Sequence, residues 1–292
     1  MSNYSDFPVS IDGVRLDTLA FGIEAIKYQA GGTRGADAVV AGSHGVIPNL
    51  DEDYEPGGFT LSMMVRGADE DGVIQVDSVG ALRENLDMLL HLFSKRHALT
   101  DVREVVDAGG TERQAMAKVV DALAPEIEPG QVARFTASFT IPSAFWQDPA
   151  TADETLVLGV SGAAAAVPAL EGASAPITDG RFLVTGPVSA PTVYDDTTGA
   201  WVQLTGVVLG AGDAWLFDAD TWVSRYGAGL TLDSADTAGT DGMPVTEWSS
   251  ASVMLTLTPT RAAGARKVMV RLNGTGRDGT TSLKVRARRK YR

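Results

Sequence analysis

The sequence predicts a mainly β protein with two domains, and three observations support this fold class. Segments in which apolar and polar residues alternate recur along most of the 292 residues, as they do in half-buried strands. A single segment has a clear helical period. The 32 glycines and 13 prolines are more turn-forming residues than a helix bundle tolerates. We therefore expect a β domain with one helix at residues 1–149 and an antiparallel β-sandwich at residues 150–292.

The first domain begins with short strands and a long loop. Residues 7–30 contain two short strand-like segments around a turn, and residues 59–67 read as a further strand. Between them, residues 31–58 are rich in glycine and acidic residues and have no sustained period. Loops of this length in compact proteins are usually functional, or they pair with something outside their own core. The loop is therefore a candidate contact surface.

The helix is predicted over residues 78–96. Four apolar residues fall on one stripe of it, with Leu90 beside them: Leu82, Leu86, Leu89 and Phe93. Asp77 or Ser78 can cap its start, and Lys95 and Arg96 suit the negative end of its dipole. One amphipathic helix among many strands indicates a helix that packs on a sheet or closes the mouth of a barrel.

Residues 101–123 are predicted to form a β-hairpin that turns at Gly109–Gly110. The second arm also has a helical period, through Met116, Val119, Val120 and Leu123, so a helix is the alternative. We prefer the strand because a glycine pair favours a hairpin turn.

The last strand of the first domain is predicted at residues 133–141. Apolar and polar residues alternate strictly along it, and Pro142 ends it because proline cannot donate to a ladder. The chain then leaves through an aromatic exit, Phe145 and Trp146. We expect this exit to pack the junction between the two domains.

The second domain shows short apolar segments at regular spacing and no helical period, which favours an antiparallel sandwich. Residues 252–259 and 282–289 are among its predicted strands. The latter carries Lys284, Arg286 and Arg288. These basic residues either form the solvated face of an edge strand or meet a partner.

Charge is distributed unevenly along the chain. The net charge is −13, yet residues 261–292 carry eleven Lys or Arg and one acidic residue, a net +10, so the other 260 residues carry −23. Such a molecule can meet its own copies or its partners by charge complementarity. A nucleic-acid footprint is disfavoured because the acidic part repels phosphate.

Catalysis has few candidate residues here. Cysteine is absent, which excludes disulfides, thiol catalysis and zinc–thiolate sites. His44, His91 and His97 are the histidines, and no serine occupies a nucleophile elbow. The acidic stretch at 51–58 lacks the final glutamate and the flanking helices of a calcium loop. We therefore expect no catalytic residue, no cofactor and no metal ion.

Sugar binding is a stronger hypothesis for the second domain than catalysis or metal binding. Sugars stack on exposed aromatic rings, and three tryptophans are candidates for this role: Trp201, Trp222 and Trp248. Core packing is the alternative for rings on strands.

The N-terminal residues have neither a basic region nor an apolar one, and no segment reaches the roughly 20 apolar residues that span a bilayer. We therefore expect no signal peptide and no membrane association.

Several stretches, in this order, resemble the distal tail protein family of long, flexible-tailed bacteriophages, whose members are also called minor tail proteins. They are the Arg-Gly-x-Asp loop at Arg34–Asp37 with its turn at His44–Gly45, the strand around 61–65, the helix and the strand with its Pro and Phe-Trp exit. Residues 194–224 resemble the family's second domain. The resemblance covers nearly the whole chain, although no single motif is diagnostic and the basic C-terminal segment has no match.

The resemblance implies a structural virion protein of the tail tip or baseplate, assembled in the host cytoplasm, and not an enzyme. Family members form a hexameric ring through a split-barrel N-terminal domain with a helix, and a galectin-like β-sandwich projects outward. The implied partners are further copies of the chain, the tail tube protein, the baseplate hub protein and the tape measure protein, together with receptor-binding or side proteins. DNA passes through the lumen without specific binding. An acidic lumen would repel it.

We select six residues as interface candidates: Arg34, Asp37, His44, Tyr54, Phe145 and Trp146. Two other functions remain as alternatives, a carbohydrate-binding module for host adhesion and a tail tube protein. Tube subunits are commonly one domain, so the second sandwich argues against the latter.

Overall fold

The computed structural model describes residues 9–29, 33–34, 38–39, 46–47, 53–69, 71–94, 98–107, 109–121, 124–128, 132–158, 162–249, 254–262 and 264–292. The chain divides into two compact units. The first comprises residues 1–149 with Arg292, and the second comprises residues 150–291. Both are built mainly from antiparallel strands, so the predicted fold class is confirmed.

The first unit contains thirteen strands among its described residues: β1 Val9–Ile11, β2 Val14–Arg15, β3 Phe21–Gln29, β4 Thr33–Arg34, β5 Ala38–Val39, β6 Val46–Ile47, β7 Asp53–Tyr54, β8 Gly57–Arg66, β9 Thr100–Val105, β10 Glu112–Val119, β11 Glu126–Glu128, β12 Val132–Ile141 and β13 Trp146–Gln147. Its main sheet has the order β2-β1-β9-β10-β12-β8-β3. Strand β11 pairs with β12 on the side away from β8, and β13 pairs with β10.

The hairpin and the final strand of the first unit are confirmed. Strands β9 and β10 pair around residues 106–111, where Thr111 donates its backbone N–H to a carboxylate oxygen of Asp107 at 3.0 Å. Gly110 has a φ of +81°, which glycine adopts without strain. The alternating apolar residues of β12 are all buried, as period-two patterning requires: Ala133, Phe135, Ala137, Phe139 and Ile141.

The helix α1 spans Ser78–Phe93 and is three residues shorter than predicted. Asp77 caps it by accepting the backbone N–H of Gly80 at 2.9 Å. At its end, Ser94 donates its backbone N–H to the carbonyl of His91, and residues 95–97 lie outside the described residues. The predicted stripe is buried against the sheet, and Phe93 meets the rings of Phe135 and Phe139 edge-on.

The second unit is a β-sandwich. Its strands within the described residues are β14 Ala152–Val157, β15 Ala165–Ala166, β16 Arg181–Thr185, β17 Val188–Asp195, β18 Trp201–Leu204, β19 Val208–Leu209, β20 Asp213–Asp218, β21 Val223–Ala228, β22 Thr240–Asp241, β23 Thr246–Trp248, β24 Thr260–Ala262, β25 Ala265–Lys267, β26 Met269–Thr275, β27 Ser282–Ala287 and β28 Lys290–Tyr291. Two 3₁₀ turns, Pro168–Leu170 and Met243–Val245, lie between them.

Two sheets enclose the core of the second unit. One has the order β14-β27-β16-β20-β21-β22, and the other has the order β15-β26-β17-β18-β23 with β19 beside β17. The core takes residues from both, including the stacked rings of Phe182 and Phe217 with centroids 4.6 Å apart. Residues 254–259 differ from prediction. They form no strand: one bridge joins Leu257 to Ile177, and Met254, Leu255 and Leu257 are buried in the core.

The strand that carries the basic residues is not an edge strand, so that interpretation of Lys284, Arg286 and Arg288 is wrong. Strand β27 lies between β14 and β16 and pairs with both. Arg286 makes a two-pronged ion pair with Asp153 on β14, at 2.6 and 2.7 Å. An arginine can occupy this central strand because a carboxylate on the neighbouring strand satisfies its donors.

The outer face of this sheet is covered by a flap, residues 229–239, between β21 and β22. Leu230 and Leu232 of the flap pack on Leu183, Ala214 and Leu216. Strand β20 is consequently buried on both faces, with Trp215 and Phe217 toward the core and Leu216 under the flap.

Polar contacts also hold the flap. Asp233 accepts a hydrogen bond from Arg286 at 2.6 Å. Arg181 donates to the backbone carbonyl of Ser234 at 2.6 Å and to Asp236 at 3.3 Å.

Candidate interface surfaces

The predicted interface residues of the long loop fall largely outside the structure. Asp37 and His44 lie outside the described residues. Arg34 lies in β4 and Tyr54 in β7, which pair with each other through Thr33–Tyr54 and Arg34–Asp53, and their side chains are not described. Their role at an interface therefore stays a prediction.

The aromatic exit is buried within the chain. Phe145 and Trp146 expose 7 % and 5 % of their surface. The Trp146 ring lies 5.2 Å from that of Phe59 and meets the edge of Tyr28 at 6.2 Å. Both partners belong to the first unit, so Trp146 packs that unit's own core. Its role at a subunit contact stays a prediction.

An arginine lies between the two outer rings of this cluster. The guanidinium carbon of Arg113 is 4.8 Å from the centre of the Tyr28 ring and 4.7 Å from that of Trp146. Arg113 also donates to Glu104 at 2.9 and 3.0 Å, and the Tyr28 hydroxyl donates to the other oxygen of the same carboxylate. Glu104 is 3 % exposed and Arg113 neutralises it.

Burial, together with the hydrogen bond to Glu104, raises the pKa of Tyr28 above its usual range. The cluster thus keeps a neutral phenol and a compensated ion pair in one place. This arrangement fixes β3, β9, β10 and β13 to one another. The sequence analysis missed it, although Glu104 and Arg113 stand directly opposite each other in the predicted hairpin.

The sheet face turned away from the helix is lined by small hydroxyl groups. On β8 and β12 this hydroxyl face consists of Thr60, Ser62, Thr136, Ser138 and Thr140. Thr60 and Ser138 are directly paired, with their oxygens 3.4 Å apart. At one end of it, Arg134 forms ion pairs with both Glu24 and Glu128. Lys27 and Lys118 pair with Thr60 and Thr140 and lie on the same face, so the face is polar and carries charges of both signs.

An ordered loop on the first unit exposes large apolar side chains. We call it the apolar finger: residues 67–69 and 71–77, between β8 and α1. Val73 and Ile74 expose 60 % and 74 % of their surface, and Val76 is fully exposed. Residues singly exposed in this way are ordinary, whereas three within four positions mark a contact surface.

The apolar finger is held in shape by hydrogen bonds. The carboxylate of Asp69 accepts from the backbone N–H of Val73 at 2.8 Å and from the side chain of Gln75 at 3.1 Å. Gly72 turns the chain with a φ of +80° and lies against Leu19. At its root, the Asn85 amide donates to the carbonyls of Arg66 and Ala68 at 2.8 and 3.0 Å.

The apolar finger was not predicted, because no hydrophobic period runs through it and the strong helical period begins directly after it. A signal was present: residues 69–79 read "DEDGVIQVDSV", so aliphatic residues lie inside an acidic turn that does not continue either neighbouring pattern. Apolar residues in such a place have no core to enter.

The three tryptophans proposed for sugar stacking differ in their surroundings. Trp201 lies on β18 opposite Tyr194 and is half-buried. Trp248 packs on the sandwich core. Trp222 lies in the turn between β20 and β21, is 36 % exposed and meets Trp248 edge-to-face at 5.3 Å.

Trp222 adopts a φ of +56°, a left-handed conformation that is unusual for a bulky residue. The turn enforces it, since the carboxylate of Asp218 accepts the backbone N–H groups of Asp220 and Thr221 at 3.0 and 3.1 Å. The ring is therefore held at the surface by its backbone.

No group of three or more potential metal-ligating side chains occurs in the part of the chain that the structure describes. Within that same part, no helix is long and apolar enough to span a membrane.

No protein-family profile matches the sequence, and no curated protein matches it. Among solved structures, the chain is similar to the SPP1 Dit (gp 19.1) protein, described as a paradigm of the hub adsorption apparatus in phages that infect Gram-positive bacteria. The TM-score is 0.58 at 13 % identity, and the match covers 99 % of this chain and 100 % of that one.

Two weaker matches come from the phage p2 baseplate in its activated conformation, with Sr and with Ca. Their TM-scores are 0.40 and 0.38 at 8 % and 9 % identity, with 98 % of each chain covered. The resemblance to distal tail proteins that the sequence motifs indicated is thus confirmed at the level of the fold, through the SPP1 Dit protein.

Proposed function

We propose that this chain is a structural protein of a phage tail tip, located in the virion at the tail end or baseplate, and not an enzyme. The observation that carries the proposal is the fold shared with the SPP1 Dit protein. The match covers 99 % of this chain and 100 % of that one, so it extends over both units. The second unit is therefore matched as well as the first.

The chain assembles as a ring, a hexamer, through its first unit. Strand β3 supports this proposal: it borders the main sheet, pairs with β8 on one side and has no second partner among the described residues. Nine residues of free strand edge favour pairing with another chain. Because the strand edge and the surface that it meets differ, the contact is head-to-tail, and a rotation of about 60° between neighbouring copies closes it into a ring of six.

The hydroxyl face lines the lumen of that ring. Its serine and threonine side chains are uncharged, and the charged residues on the same face, among them Lys27, Lys118 and Glu128, are of both signs, so the duplex meets neither a uniformly cationic nor a uniformly acidic surface. This refines the acidic lumen expected from the sequence: within the described residues, Arg134 is balanced by Glu24 and Glu128.

The ring's partners are the tail tube protein on one side, and the baseplate hub protein and the end of the tape measure protein on the other. The second unit is a platform that attaches receptor-binding or side proteins. The assembly has no membrane contact.

The test is the mass of the purified 30.6 kDa chain by light scattering, with negative-stain imaging of the same fraction. We expect a roughly sixfold mass and open rings. A chain that stays monomeric alone and also when mixed with preassembled tail tubes contradicts the ring.

Sugar binding by the second unit is a second candidate function, favoured by the exposed and backbone-constrained ring of Trp222. A glycan array with the parent chain and Trp222→Ala tests it. Trp201→Ala, from the same unit, is the matched control. Binding that Trp222→Ala removes and Trp201→Ala retains supports a sugar site, and an array without signal contradicts it.

A further inference from the structure

An exposed apolar residue, Ile127 on β11, lies on the opposite side of the sheet from the apolar finger. We infer that the finger of one copy covers Ile127 of the next copy around the ring, an inference that rests on the proposed ring. The contact would join residues 73–76 of one subunit to strand β11 of its neighbour.

Ile127 ends a row of core residues. Across the sheet, Phe21 on β3 pairs with Val65 on β8, Val65 with Ala133 on β12, and Ala133 with Ile127 on β11. Partners in a row point to the same face, and the first three are buried under the helix side of the sheet. Ile127 continues the row but is 61 % exposed, because β11 pairs only with β12 and has no strand beyond it among the described residues.

The apolar finger lies at the same level of the sheet and at the other edge. It leaves β8 directly after Arg66, one residue beyond the row of Val65. Its tip at Gly72 rests on Leu19, which precedes Ala20, and the carbonyl of Ala20 accepts the N–H of Arg66 alongside β3. Its root is bonded to Asn85 of α1, so the finger lies on the helix side.

These positions make the contact head-to-tail. Each copy offers an exposed apolar loop whose tip lies beside the segment that enters β3, and an uncovered apolar row end at β11, both on the helix side and at one level of the sheet. Placing the β3 edge of one copy beside the β11 edge of the next brings the two together and continues the core across the boundary. A contact between two different patches on one chain gives a ring when its rotation closes, and it does not give an isolated two-fold dimer.

The chain has no cysteine, so introduced thiols can report this contact without background. The test variant carries Ile74→Cys together with Ile127→Cys in the full chain. The matched control carries Ile74→Cys with Val208→Cys, since Val208 is 71 % exposed but lies on the second unit. Both are oxidised and separated on a non-reducing gel, and light scattering of the parent chain is recorded in parallel.

We expect the test variant to form a ladder of covalent dimers to hexamers, about tenfold or more above the control pair, because preassembled neighbours raise the effective thiol concentration. Rings by light scattering with no ladder, or with equal ladders in both variants, overturn the contact and leave the ring intact. A monomeric parent with no cross-linking in either variant overturns the contact, and the mixture with tail tubes then decides on the ring separately.

Discussion

Arg113 shows how much of the first unit depends on one side chain. It stacks between Tyr28 and Trp146 and is the ion-pair partner of the buried Glu104. A lysine would retain the charge but not the planar stacking or the paired hydrogen bonds. The cluster therefore needs arginine specifically.

Arg113→Ala should destabilise the chain by about 3–5 kcal/mol, because it leaves a carboxylate buried without a cation. Urea unfolding followed by tryptophan fluorescence measures this. The control is Arg103→Ala on the neighbouring strand, whose exposed pair with Asp101 contributes about 1 kcal/mol or less. Equal effects of the two variants would contradict the proposed importance of the cluster.

Asp153 makes the second unit sensitive to acid. Hydrogen bonds from Arg286 hold the pKa of Asp153 below its ordinary value of 3.8. A lowered pKa means that the charged form stabilises the fold, so this contribution is present above 3.8 and is lost as the pH falls through the lower folded value.

Asp153→Asn should therefore lower stability at pH 7 by about 1 kcal/mol or less, since solvent screens a half-exposed pair. The difference from the parent should shrink as the pH falls below 3.8. Urea unfolding at several pH values checks this, with the exposed turn variant Asp220→Asn as control. A difference that persists in acid would show that the ion pair is not its cause.

At the scale of elements, the flap covers the outer face of β16 and β20 in the second unit through two leucines, Leu230 and Leu232. Leu232→Ala should cost about 2–3 kcal/mol, because a buried side chain is lost where the flap can partly collapse. Hydrogen exchange should speed up in residues 229–239 and in β16 and β20 beneath them. Val208→Ala is the control, since that side chain is largely exposed. Unchanged exchange in β16 would contradict the covering role.

The apolar finger is the second element with a consequence of its own. Ile74→Asp with Val76→Asp should abolish ring formation and leave the circular dichroism spectrum unchanged, because both side chains are exposed in the single chain. Val208→Asp is the matched control. Asp69→Ala should weaken assembly without altering the apolar surface, since it removes the bonds that shape the finger. Rings from the double variant would refute the finger's role.

At the scale of the whole molecule, residues 1–149 and 150–292 are proposed to be separate domains. Calorimetry of the full chain should then show two transitions. Arg113→Ala should lower only one of them, and Leu232→Ala should lower only the other. A single transition that both variants shift would mean that the two units unfold as one.

The sequence predicted what periodicity encodes. The alternation in β12 and the stripe of α1 follow from burial on one face, so both were found in the right place. The central position of β27 was not foreseeable, because Arg286 needs Asp153, which is 133 residues away. Strand order arises from such distant pairs. The apolar finger was missed for another reason: the side chains of Val73, Ile74 and Val76 are exposed and enter no core, so no hydrophobic period marks them.

Arg181 and Arg286 stand directly opposite each other on β16 and β27, and each is surrounded by carboxylates. Replacing one arginine leaves acidic groups without a counterion, and replacing one carboxylate leaves one of the two arginines with a single acidic partner. A substitution at one of these positions is therefore expected to persist in evolution only together with a second substitution that restores the charge balance. Across related sequences, the two arginines, Asp153, Asp218 and the flap's acidic residues should be gained and lost together, as one inherited set.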